Sequence, residues 1–145
     1  TMEMWFLKFV LLADGDPLAW LAAHLDPNWI SHAGVRRIVE LRLASAGAEH
    51  AGPLNALLDE LEDDPPLRAL ATEAASERRA VPDLANQVQA AARRIRDAWL
   101  DRQIGGYSAK LDDVGLPEDQ RVDALRRQQE LRAWKRRPLE PLEGA

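Results

Sequence analysis

Apolar side chains recur along this chain at spacings of three and four residues, the period of a helix with one buried face. Trp5, Phe6, Phe9, Val10 and Ala13 mark a first helix over Met2–Ala13. Asp14-Gly15 ends it, and Asp16-Pro17 supplies an N-cap followed by proline at the first helical position. A second helix follows over Pro17–His24, with Leu18, Leu21 and Leu25 along its inner edge. Asp26-Pro27 repeats the signal and opens a single turn, Pro27–Ile30, that offers Trp29 and Ile30 to the core. Ser31 reads as the cap of a helix over His32–Ser45, closed by Gly47. After a loop at Ala48–Gly52, short helices are predicted over Pro53–Glu62 and Pro66–Ser76, parted by Asp63-Asp64-Pro65-Pro66.

Val81-Pro82-Asp83 opens the longest helix, in which Leu84, Val88, Ala91, Ile95 and Ala98 recur and Trp99 extends the stripe. Gly105-Gly106 weakens it near its end, by about 1 kcal/mol per glycine relative to alanine. The pair reads as a hinge. Tyr107, Leu111 and Val114 continue the pattern to the turn at Gly115-Leu116-Pro117. A final helix then runs over Pro117–Arg136 until Pro138 stops it. Period-two alternation is nearly absent, so the expected fold class is all-α: a multi-helix bundle over residues 1–97, then a C-terminal helical hairpin over 98–137. Residues 138–145, with two prolines and two glutamates, read as a disordered tail.

The final helix is poor in apolar residues. Val122, Leu125, Leu131 and Trp134 are its sizeable ones, and Gln128 and Gln129 stand where a buried helix would carry Leu or Ile. A hairpin built from it should leave Leu125, Leu131 and Trp134 at least partly exposed. Apolar and aromatic groups flanked by Arg have the composition of a partner-binding surface. Trp5, Trp20, Trp29 and Trp99 lie on apolar helix faces and read as core.

Charge sharpens this picture. Pro117–Arg137 carries seven bases against four acids, although the 145-residue chain has a formal charge of −5. An acidic body thus bears a basic final helix. Net acidity argues against general nucleic-acid binding. The acids Glu118 and Asp119 at the start of that helix and the bases Lys135, Arg136 and Arg137 at its end complement its dipole.

Little catalytic chemistry is legible. Without cysteine there is no disulfide, thiolate metal site or cysteine nucleophile. His24, His32 and His50 show no metalloprotease spacing, and no glycine-rich phosphate loop is present. The acidic run Asp59, Glu60, Glu62, Asp63 and Asp64 reads as a solvated helix end. No metal, cofactor or catalytic residue is therefore assigned. The apolar stretch Met4–Ala13, broken by Lys8, is far shorter than the roughly 20 residues of a membrane span. With Thr1 in first place, the chain reads as an excised or processed piece.

The stretch Leu116-Pro117-Glu118-Asp119-Gln120-Arg121-Val122, leading to Gln129-Glu130-Leu131 and a basic end, resembles the terminus of bacterial DNA primase. Phe6-Leu7-Lys8-Phe9-Val10-Leu11-Leu12, followed by Leu25-Asp26-Pro27, is similar to the start of that family's helicase-binding region. The resemblance covers nearly the whole chain but carries no catalytic signature. It implies a cytoplasmic, non-catalytic module that docks primase on the N-terminal domains of the replicative hexameric helicase. RNA synthesis would belong to upstream domains of the parent. Gln129, Glu130 and Leu131 match the family's terminal motif. Local physics adds Leu125, Gln128, Arg132, Trp134 and Lys135 to the expected partner-binding set, and the isolated module should be monomeric. The alternative is the N-terminal domain of the helicase itself, or another helical scaffold for self-association.

Overall fold

A computed structural model describes residues 2–46, 54–76 and 81–143. Gly47 as a helix stop, the loop at 48–52, Pro53 and His50 lie outside the described residues. The fold is all-α. Its helices are α1 (Met2–Leu12), α2 (Gly15–His24), α3 (Ala33–Ala44), α4 (Leu54–Glu60), α5 (Pro65–Ser76), α6 (Leu84–Leu111) and α7 (Glu118–Arg136). A 3-10 turn at Pro27–Trp29 links α2 to α3.

The core lies where α1 meets α3, α5 and the first half of α6. Phe6, Leu7, Val10 and Leu11 of α1 are buried there with Val35, Ile38 and Val39 of α3 and Val88, Ala92 and Ile95 of α6. Burial of each large apolar side chain contributes about 1.5–3 kcal/mol. Trp5 departs from expectation. It is 62% exposed, because the buried arc of α1 runs through Phe6, Val10 and Leu7 and leaves Trp5 at its rim.

Helix starts show small, explicable shifts. Asp16 was the expected cap of α2, yet the helix begins at Gly15, whose φ of +51° suits glycine. Ser31 does not cap α3. The cap is His32, whose Nδ1 accepts from the Val35 amide at 3.1 Å. Ser31 is held instead by Glu3 of α1. The Glu3 carboxylate accepts from the Ser31 amide (2.8 Å), the Ser31 hydroxyl (3.0 Å) and the His32 amide (2.8 Å). Burial pushes the Glu3 pKa up, but these bonds outweigh it and leave the group below its ordinary range. One carboxylate thereby ties the start of α3 to α1.

The long helix α6 belongs to both parts of the molecule. Its first half completes the bundle, and its second half pairs with α7 as the hairpin. It runs unbroken through Gly105 and Gly106, so the expected joint is a continuous helix in this structure. A Cβ at either glycine would meet nothing within 4 Å, so no packing demands glycine there.

Candidate protein-docking surface on the hairpin

The hairpin divides into a fastened base and a projecting tip. At the base, Trp134 of α7 meets Trp99 of α6 edge-on at 5.8 Å and Trp29 at 6.2 Å, and Trp29 lies 6.4 Å from Trp99. This aromatic cluster joins the hairpin to the bundle. Arg102 adds a bond from Nη2 to the Trp29 carbonyl at 2.7 Å. Arg96, fully buried, donates to the carbonyls of Lys135 (3.2 Å) and Arg137 (2.7 Å) while paired with Asp97 at 3.0 Å. A cation on these carbonyls satisfies groups that every helix C-terminus leaves open and complements the dipole of α7.

The segment after α7 is held as well, which corrects the expectation of a disordered tail through the described positions up to 143. Leu139 and Leu142 pack against the core, and the Leu142 amide donates to the Ala23 carbonyl at 2.8 Å. Two leucines at a three-residue interval bury enough apolar surface to hold an extended strand of chain on the bundle.

Along the hairpin interior, Ala124, Gln128 and Leu131 of α7 are buried at i, i+4 and i+7. Leu131 is 2% exposed, and Gln128 donates from Nε2 to the Ser108 hydroxyl (2.6 Å) and the Ile104 carbonyl (3.3 Å). Both were expected to face a partner. They face α6 instead, because Ser108 and the Ile104 carbonyl supply acceptors that let a glutamine sit in the interface without an unpaired amide. Trp134 packs into the aromatic cluster and stays partly exposed.

The other expected residues separate by direction. Lys135 pairs with Asp101 at 2.8 Å, a contact that raises its pKa. Glu130 pairs with Arg127 at 3.1 Å, which raises the arginine further above its ordinary value. Leu125 is 45% exposed, and Gln129 and Arg132 are exposed. Arg132 makes no hydrogen bond or ion pair with any described residue. Val122 (54% exposed) and Val114 (99% exposed) were missed as site residues. Val122 was legible: Val122, Leu125, Gln129, Arg132 and Arg136 recur at the helical period along a stripe that flanks the buried one of Ala124, Gln128 and Leu131.

The outward face of α7 therefore grades from apolar at the tip to cationic toward the base. A shallow concavity of about 520 Å³ lies on the flank of the hairpin, beside Tyr107, Asp123 and Arg127. Its walls mix charged groups, among them Lys110, Asp113 and Glu130, with Leu116 and Ala124. Among the described residues, no group of three or more His, Asp or Glu is placed to hold a metal ion, and no helix is long and apolar enough to cross a membrane.

No family model, curated protein or solved structure matches this chain.

Proposed function

We propose that this chain is the helicase-interaction module of a bacterial DNA primase, recruiting its parent to the replicative helicase and performing no catalysis itself. The observation that carries this reading is the outward face of α7. Val122 and Leu125 stand exposed at the free end of a hairpin whose base is clamped to the bundle, with the unpaired Arg132 on the same face. A rigid hairpin presenting apolar anchors keeps the entropy cost of docking low. The resemblance through Leu116–Val122 and Gln129–Leu131 supplies the name of the partner; the surface supplies the chemistry.

The partner surface is accordingly helical, with an apolar groove for Val122 and Leu125 and acidic groups at its margin for Arg132. A face of this kind buries on the order of 800 Å² per partner, consistent with reversible, micromolar assembly. The test is calorimetric titration of the chain with the N-terminal domain of the replicative helicase from the same source. Val122→Asp/Leu125→Asp should weaken binding by about 30-fold or more with unchanged helical content. No heat at tens of micromolar, or unchanged affinity in that variant, overturns the proposal. Self-association of the chain in sedimentation, lost in the same variant, would favour the scaffold alternative.

A further inference from the structure

A second apolar surface lies on the bundle, where α1 crosses the first half of α6. On α1 it is lined by Met2, Trp5, Phe6 and Phe9, and on α6 by Gln87, Ala90, Ala91 and Arg94. Both sets are spaced i, i+3, i+4 and i+7. Two helices thus offer matching ridges on either side of one groove, over about two turns or 10 Å of each axis. The groove encloses about 390 Å³. Its α1 wall is aromatic, with Trp5 stacked on Phe9 at 5.2 Å, and its α6 wall is small, with alanines at the two central positions. Small residues opposite large ones leave room for the backbone of a third helix to approach.

We infer that this groove seats an amphipathic helix of another protein, one that carries carboxylates beside its apolar face. Charge decides the occupant. Among the described lining residues Arg94 alone is charged, and it makes no hydrogen bond or ion pair with any described residue. Its neighbour Arg93 takes the nearby Asp97, at 4.0 Å. A second copy seated by two-fold symmetry would bring the same lining, whose described residues carry no carboxylate for Arg94. A helix with leucine or methionine anchors and an acid at its edge fills the apolar seat and pairs the arginine together, the helix-in-groove mode of recognition. The seat centres on Ala90 and Ala91 and the hairpin tip lies at the far end of α6, about 20 residues or 30 Å along the helix. The two surfaces can be occupied at once, so this site is separate from the hairpin's.

The probe is a fluorescein-labelled synthetic helix of about 18 residues, with leucines at i, i+3 and i+7 flanked by glutamates, and a twin with lysines for glutamates. Binding to the whole chain is followed by fluorescence anisotropy. The acidic helix should bind in the micromolar range and the basic twin at least ~10-fold more weakly. Trp5→Ala should weaken the acidic helix by ~10-fold or more, and Arg94→Glu should reverse the preference between the twins. Val122→Asp/Leu125→Asp should change neither, which separates this site from the hairpin. Equal binding of the twins, indifference to Trp5→Ala, or a dimer that closes the groove overturns the inference.

Discussion

Leu125 and Leu131 sit six residues apart on α7 and look interchangeable as residue types, but the structure assigns them opposite energetic roles. Leu131 is 2% exposed inside the hairpin. Truncating it to alanine removes three buried carbons, about 2.4 kcal/mol of transfer free energy at ~0.8 kcal/mol each. The cavity left between two helices held at their base adds to this, so Leu131→Ala should cost about 3–4 kcal/mol. Leu125 is 45% exposed and leaves no enclosed cavity, so Leu125→Ala should cost at most about 1 kcal/mol. Urea unfolding followed by far-UV circular dichroism measures both. The helicase titration completes the contrast: Leu125→Ala should weaken binding while folded, and folded Leu131→Ala should bind with near-normal affinity. Equal stability losses, or a Leu131→Ala variant as stable as the parent, would refute the assignment of inner and outer faces.

Three further outcomes concern the hairpin and the start of α3. Arg96→Ala strips the Lys135 and Arg137 carbonyls of their donor and leaves Asp97 without its closest cation; it should cost about 3 kcal/mol and accelerate amide exchange at Leu142. Gly105→Ala/Gly106→Ala should stabilise the chain by about 1–2 kcal/mol in thermal unfolding, since α6 is continuous there and open space surrounds both positions; a loss of stability would show that the helix bends in solution. Glu3→Gln should cost about 1–2 kcal/mol at neutral pH through weakened bonds to Ser31 and His32. The Glu3 pKa is lowered in the fold, so its stabilisation is complete above the ordinary value of 4.5 and disappears as pH falls through the folded value. The gap between parent and Glu3→Gln should accordingly close in acid and stay constant from pH 6 to 8 in denaturant titrations.

Local pattern determined much of this molecule. Proline after aspartate, the Asp-Asp-Pro-Pro break and the apolar spacing of three and four residues set helices whose observed limits differ by a residue or two, because caps, prolines and one-sided burial act within a turn of chain. The outward set Val122, Leu125, Gln129 and Arg132 also follows from helical period once one face of α7 is known to be buried. Which face that is was a tertiary decision. Leu131 and Trp134 carry the same apolar signal as Leu125, and only the position of α6, with Trp29 and Trp99 beneath the base, turns them inward. Gln128 reads as exposed until Ser108, twenty residues away, provides its acceptor. Trp5 reads as core until the bundle closes on one side of it alone. The capture of the tail by Leu139 and Leu142 likewise depends on a surface formed by residues more than a hundred positions earlier. Periodicity states that a helix has two sides; only the packing of distant segments, through long-range contacts that no local window contains, chooses which side meets the rest of the protein and which is left for another molecule.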